Sequence, residues 1–314
     1  MKHLTNLREG KKIFEALNSD VRVTILELLM EHKELNLDYF AKHLNISNSA
    51  ITMHIKKLMD AELINITSAS GIRGSMKLCS LNIDKLLIDF DLDRTETNVY
   101  SFELDIGHYV NYEVMPTCGL VSSTGIIGEF DEPRYFSFTE RFQAALLWFK
   151  SGFLEYKIPN ALKPDETIKE LQISMEIASE APGFSSNYPS DIHFSVNNVD
   201  LGYWTSPGEF NDRRGNFTPS WWFPNLGQYG KLKMLSINNT GTYIDGILIS
   251  NTTIKQLNIG FNSDISFKIL VPKDAINVGG LTLFGKGFGD YNSGIEVKIY
   301  YEKNNNQKAQ KTSQ

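Results

Sequence analysis

The chain has 314 residues, room for one large or two ordinary domains, and its 41% apolar and 22% charged content excludes a disordered or fibrous protein. A net charge of −6 argues against a uniformly basic nucleic-acid binder, and no apolar run approaches the roughly 18 residues of a membrane span. Cys79 and Cys118 are the only cysteines, and the stretch Met1–Lys12 has no apolar core behind its charges, so the expectation is a cytoplasmic protein with reduced thiols.

The charge is unevenly spread. Residues 1–94 are neutral overall and the remainder carries the −6. Between Tyr39 and Met59 there is no acid but Lys42, Lys56 and Lys57. Between Leu63 and Ile83 there is again no acid, with Arg73 and Lys77. A locally basic face on a neutral domain is compatible with DNA.

In chain order, Ile13, Phe14 and Leu17 form an apolar stripe on a first helix ending near Asn18. Ser19 is placed to cap the next, with Val21, Ile25, Leu28 and Leu29 on its buried face and Arg22 on its polar shoulder. Leu37, Phe40, Ala41 and Leu44 recur at helical spacing, and Asn45-Ile46 breaks the pattern. Ser47 then caps a helix that buries Ile51, Ile55 and Leu58, and Ala41 and Ala50 are small enough for close helix contact. What remains outside is Ser47, Asn48, Ser49, Thr52, Met53, Lys56 and Lys57, short polar groups and amines suited to base edges and phosphates. Alone, the pair reads equally as a helical hairpin with a solvated face. The next segment decides: Leu63–Ile66, a turn at Ser70-Gly71 and Met76–Leu81 predict a β-hairpin wing whose tip, Ser70–Ser75, carries Arg73 toward phosphates, with Lys77 behind it. Asn82 is then expected to cap a last helix with Ile83, Leu86, Leu87 and Phe90 on one face.

ALNSDVRVTILELL, followed by LDYFAKHLNISNSAITMHIKKLMDAELI and a hairpin, resembles the winged helix-turn-helix of the ArsR family of bacterial regulators over about residues 8–92. The resemblance implies a dimer joined by its first and last helices, which places Ile13, Phe14, Leu17, Leu86, Leu87 and Phe90 near a two-fold axis. It further implies paired recognition helices on an inverted repeat in double-stranded DNA. Two departures stand out. Where metal-sensing members carry a cysteine-bearing box, this chain has Glu34-Leu35-Asn36-Leu37-Asp38, so no metal and no cofactor is expected. The glycine that usually ends the recognition segment is Glu62 here. His54 reads equally as a phosphate or interface contact and as a packing histidine.

After Asp93 helical periodicity gives way to short aromatic and β-branched runs punctuated by Gly, Asn and Pro. Hairpins are predicted at Ser151-Gly152, between 146–149 and 153–158, and at Asn197-Asn198, between 192–196 and 199–203. Further strands are expected over 100–103, 108–114, 170–177, 232–238, 246–250, 253–259, 266–271, 281–284 and 295–300. The fold class is therefore an α+β winged helix-turn-helix (1–94), then an all-β sandwich or jelly roll (95–303), then a disordered tail (304–314). The SVNNVDLG hairpin resembles those of jelly-roll carbohydrate-binding modules, a short match. Trp204, Asp212, Arg213, Arg214, Trp221 and Trp222 form a candidate sugar site of aromatic platforms beside carboxylate and guanidinium groups, against the alternative that these residues are core and internal ion pairs. Glu176, Glu180 and Asp191 are the carboxylates a glycosidase would draw on, but nothing marks a raised-pKa acid, Cys118 shows no adjacent base, and the chain is read as a non-enzyme. The reading is a homodimeric, DNA-binding repressor whose β-domain senses a small molecule, a carbohydrate. A protein-interaction platform and a fused carbohydrate-active enzyme are the alternatives.

Overall fold

The computed structural model describes residues 2–4, 7–71, 74–83, 85–88, 98–180 and 185–304, with backbone alone at 3, 69–71, 74 and 75. Arg73, Phe90 and the tail from 305 onward lie outside the described residues. The chain divides into two compact units, Met1–Thr95 and Glu96–Gln314.

The first unit runs β1 (Lys2–Leu4), α1 (Lys11–Leu17), α2 (Asp20–His32), β2 (Glu34–Asn36), α3 (Leu37–Leu44), α4 (Asn48–Asp60), β3 (Ile64–Gly71), β4 (Gly74–Leu81) and β5 (Leu86–Ile88). Its core joins Ile13 and Ala16 of α1, Ile25, Leu28 and Leu29 of α2, Phe40 of α3 and Ile51, Ile55 and Leu58 of α4. The helical ends follow local chemistry. The Asn36 side chain accepts from Tyr39 N at 2.8 Å and starts α3, and Asn45 stops it in the left-handed region at φ 52°. Ser19 occupies the N-cap of α2, but its side chain makes no capping bond. The wing forms, with β2 added on the free edge of β4.

Two expectations are corrected. The predicted last helix is a strand: Leu86 and Leu87 sit in β5, paired in parallel with Lys2 and His3 of β1. A strand already waiting beside it gives these residues backbone partners that outweigh a four-residue apolar periodicity. Asn82, expected to cap that helix, instead donates to Glu62 O and accepts from Asn65 Nδ2, tying the base of the wing. Arg22 is 6% exposed, not a polar shoulder.

The second unit runs β6 (Val99–Leu104), β7 (Asn111–Val121), β8 (Ile126–Ile127), 3-10 turns Pro133–Ser137 and Thr139–Gln143, β9 (Leu146–Ile158), β10 (Glu166–Ala178), β11 (Ser190–Val196), β12 (Val199–Ser206), β13 (Lys231–Ile237), β14 (Thr242–Ile244), β15 (Ile247–Ser250), a 3-10 turn at Ile254–Leu257, β16 (Ile265–Val271), β17 (Leu281–Phe284) and β18 (Ile295–Lys303). Every pairing among these strands is antiparallel. One run of neighbours is β12-β11-β16-β9-β7 and the other is β6-β18-β10-β13-β14-β15. β17 joins them, pairing with Leu146–Phe149 of β9 on one side and Glu176–Ala178 of β10 on the other. The two runs enclose a core that includes Leu147, Phe149 and Leu154 of one and Leu171, Ile173 and Val297 of the other.

The hairpin expected at Ser151-Gly152 is absent: 146–158 is one strand. Its inward residues switch from odd (Leu147, Phe149) to even (Leu154, Tyr156, Ile158), and the facing β7 shifts register between Met115 and Cys118. Gly152 sits at φ +119°, and a Cβ there would lie 1.9 Å from Glu113 O, so a bulge rather than a turn explains the glycine. Residues 254–257 form a 3-10 turn where a strand was expected. The Asn197-Asn198 hairpin forms, with both residues at positive φ, as a tight turn matching strand twist requires. No helix of the described residues is long and apolar enough to cross a membrane.

Candidate nucleic-acid interface and ligand cleft

In the first unit, Ser47 precedes α4 in extended backbone and its Oγ accepts from Ala50 N at 3.3 Å. With Ile51, Ile55 and Leu58 turned into the core, the 3.6-residue period sends Asn48, Thr52 and Lys56 outward on one row and Ser49, Met53 and Lys57 on the next. All seven predicted residues of this segment are exposed, as is Lys77 on β4. Met53 is 66% exposed, a large apolar group that nothing in the unit covers and that suits contact with a thymine methyl. Thr52 Oγ1 donates to Asn48 O at 2.8 Å, leaving its lone pairs and methyl outward.

Sequence reasoning missed Asp38. Its Oδ1 accepts from Asn48 Nδ2 at 3.0 Å, so an acid from the first turn of α3 fixes the amide at the tip of α4. The signal lay only in the ten-residue spacing, which has no meaning until the two helices meet.

Arg22 and His54 stand behind this face. Arg22 Nε donates to Ala16 O at 2.6 Å, and its Nη2 donates to Glu15 O at 2.8 Å and Asn18 O at 3.3 Å. These are carbonyls at the C-terminal end of α1, where a cation also meets the negative end of the helix dipole. Arg22 Nη1 lies 3.5 Å from His54 Nδ1 on α4. Burial, then Arg22, then Lys57 hold the His54 pKa below its ordinary value, so the imidazole is a neutral packing group of α4. Glu62 adopts φ +59°, the left-handed conformation usually given to glycine, and pairs with Lys2, which lowers its pKa.

Of the residues expected at a dimer interface, Ile13 is 2% exposed and belongs to the unit's own core, Leu17 is partly buried against it, and Phe14 is 36% exposed. Leu86 and Leu87 are partly buried in β5, so joining through a last helix does not describe this unit.

In the second unit the structure separates the residues grouped as a sugar site. Trp204 packs at the edge of the main core with Lys233 Nζ 4.6 Å from its ring centroid. Asp212 accepts from Tyr229 Oη at 2.5 Å, Arg213 makes a two-pronged pair with Asp290 and lies over the Tyr229 ring, and Arg214 donates to Pro219 O. These polar groups hold the long 207–230 connection in place. Trp221 Nε1 donates to Ser123 O, and the residue is 36% exposed. Trp222 is 2% exposed and donates to Gly227 O, so it is core, not an open platform.

That connection nonetheless roofs a cleft of about 160 Å³ lined by Thr117, Phe130, Asp131, Leu146, Trp148, Glu180, Glu209, Trp222, Leu226, Gly227 and Thr282. Leu146, Trp148 and Thr282 reach it because they lie on the outer faces of β9 and β17, opposite the main core. Glu209 Oε1 accepts from Gly227 N at 2.9 Å, an approach that a Cβ at 227 would block at 2.4 Å. Of the residues grouped as a sugar site only Trp222 lines the cleft. Phe130, Asp131 and Trp148 went unread as site residues because they come from separated segments and carry no local motif.

Of the carboxylates considered for catalysis, Glu176 accepts backbone amides from Gly230, Asp290 and Tyr291, and burial pushes it up to about 7 against them. Asp191 accepts from Thr205 and Asn277, and these bonds hold it below its ordinary range despite burial. Glu180 alone of the three lines the cleft. Cys118 is fully buried, with burial pushing its thiol up to about 12.

Residues 19–65 match the family model described as "Bacterial regulatory protein, arsR family". No curated protein matches the chain. Among solved structures, HlyU from Vibrio cholerae N16961 aligns over 25% of this chain and 80% of its own, at 20% identity and a TM-score of 0.22.

Proposed function

We propose that this chain, whose arsR-type helix-turn-helix marks it as a DNA-binding transcriptional regulator, is a repressor that binds an inverted-repeat operator as a homodimer and releases it when the β-rich unit takes up a small molecule, a carbohydrate. The observation that carries the DNA reading is the outward row Asn48, Thr52 and Lys56 at the capped front of α4, exposed on a helix with no acid before Asp60. Asn48 and Thr52 supply base-edge contacts. Lys56, Lys57 and Lys77 supply phosphate contacts, as does Arg73 if the wing tip reaches the backbone. The effector reading draws on the cleft, whose volume is comparable to the ~150 Å³ engineered cavity that holds benzene and so accepts one six-membered ring. The engagement of Glu176 and Asp191 by backbone amides and neighbouring side chains supports a non-enzymatic role, in the cytoplasm.

Selection of bound duplexes from a random library by the full chain, followed by anisotropy titrations at moderate salt, tests the DNA reading. Enrichment of an inverted repeat is expected. Asn48→Ala and Thr52→Ala should relax base preference, whereas Lys56→Ala should weaken all sequences alike and lower the salt slope by about one. Binding with no preference over random duplex overturns the regulator reading.

A second reading, the β-rich unit as a protein-interaction platform, draws on edge strand β15, whose Ile247 and Leu248 are 64% and 51% exposed.

A further inference from the structure

The groups that line the cleft have a one-sided hydrogen-bonding chemistry. Thr117 Oγ1 already donates to Glu180 Oε2 at 2.6 Å, and Thr282 Oγ1 donates to Ser179 O at 3.0 Å. Both side-chain hydroxyls are thus turned toward protein acceptors. Apart from the indole N–H groups of Trp148 and Trp222, the latter donating to Gly227 O, the remaining polar side chains are three carboxylates, Asp131, Glu180 and Glu209, and among the described residues no Lys, Arg or His is in the lining. Asp131 Oδ1 accepts from Cys118 N, Glu180 Oε2 from Thr117 Oγ1, and Glu209 Oε1 from Gly227 N. They arrive on three separate segments, after β8, after β10 and in the 207–230 connection. Among the described residues no group of three or more His, Cys, Asp and Glu is placed to hold a metal ion. The acids therefore border a volume instead of converging on a point.

The rest of the wall is aromatic. Phe130 meets Trp148 edge to face at 5.1 Å, and Trp148 is tilted 57° to Trp222 at 6.1 Å. Ring faces with negative quadrupoles beside carboxylates favour a cation that is also apolar in outline. Burial holds Glu180 above the ordinary carboxylate range, offset from the basic side only by the field of Lys150, which lies outside the lining. An incoming positive charge relieves that cost.

We infer that the cleft takes a compact six-membered ring bearing a protonated amine, an amino sugar in preference to a neutral one: the carboxylates accept from the ammonium and flanking hydroxyls, and Phe130, Trp148 and Trp222 bound the ring. This rests on the cleft being the effector site proposed above, and names the charge of what it binds.

The test is calorimetric titration of the full chain at pH 7 with glucosamine and galactosamine, their neutral parents glucose and galactose, and cyclohexylamine. An amine should bind at least about tenfold more tightly than its neutral counterpart. Glu180→Gln and Asp131→Asn should each weaken it about 30-fold through loss of a charge-assisted bond. Asparagine retains the acceptor for Cys118 N and suits the φ of +62° at position 131, so this second variant stays folded if Glu180→Gln does not. Equal affinity for amine and neutral ring, or amine binding that neither variant weakens, overturns the assignment and leaves the effector reading standing. Failure of every ring, charged or neutral, to bind removes both.

Discussion

Replacing Arg22 by leucine tests whether one buried guanidinium holds the helices of the first unit together. Of its three bonds to the end of α1, those at 2.6 and 2.8 Å are strong and that at 3.3 Å is marginal. Two charge-assisted bonds at about 1.5–3 kcal/mol each give roughly 3–6 kcal/mol. A leucine in the same space recovers about 1.5–2 kcal/mol of apolar burial. The net loss is about 1–4.5 kcal/mol, a fall of roughly 5–30 °C in melting temperature for a unit of this size. The two units carry their own reporters. The α-helices of the described residues all lie before Ala61, and the four tryptophans are 148, 204, 221 and 222. Thermal unfolding followed by far-ultraviolet circular dichroism should therefore move, and tryptophan emission should not. Arg22→Lys should recover about half the loss, since one ammonium satisfies one carbonyl well. A helical transition unchanged in Arg22→Leu refutes the reasoning, because it means water replaces all three bonds without cost.

The depressed pKa of His54 gives a pH dependence with a definite sign. Below the ordinary value of 6.5 the unfolded chain binds a proton that the folded unit resists, so the first unit loses stability as pH falls from about 6.5. His54→Gln should flatten that acid limb of the circular-dichroism melting curve, and an unchanged limb counts against it. Glu62→Gly should stabilise the first unit by about 0.5 kcal/mol. Relief of the left-handed backbone outweighs an ion pair whose partners are 31% and 71% exposed, and a lowered melting temperature shows that the pair dominates. Trp222→Ala should cost the second unit about 3–5 kcal/mol, read in its denaturation midpoint by the remaining tryptophans; a midpoint shift under 1 kcal/mol on the same scale of core truncations contradicts its place in the core. Cys79 and Cys118, fully buried with thiols pushed up to about 11 and 12, should resist a thiol reagent until the chain unfolds, and fast native labelling contradicts this.

The helix-turn-helix was legible because its information is local. A cap at Ser47, a stop at Asn45 and apolar residues every third or fourth position each act within one or two turns. The wing and the Asn197-Asn198 turn were legible for the same reason. The larger misreadings involve partners distant in sequence. Leu86 and Leu87 are helical by spacing, yet β1, some eighty residues earlier, takes them as a strand. Gly152 looked like a turn until Glu113 pressed against it. The aromatic content of 203–224 was visible, but which ring faces a cavity depends on β9 and β17, and the acids that share the cleft come from three segments with no common spacing. Arg22 was placed outside because charge usually marks a surface, and only the end of α1 supplies the carbonyls that make burial favourable.

β17 is four residues long, yet it is stitched to both halves of the β-rich unit, and its Thr282 forms part of the cleft floor. A molecule settling there leans on the clasp instead of on either panel. Thr282 is paired in register with Trp148 on one side and Ala178 on the other, so a shift of that one residue would bear on both panels together.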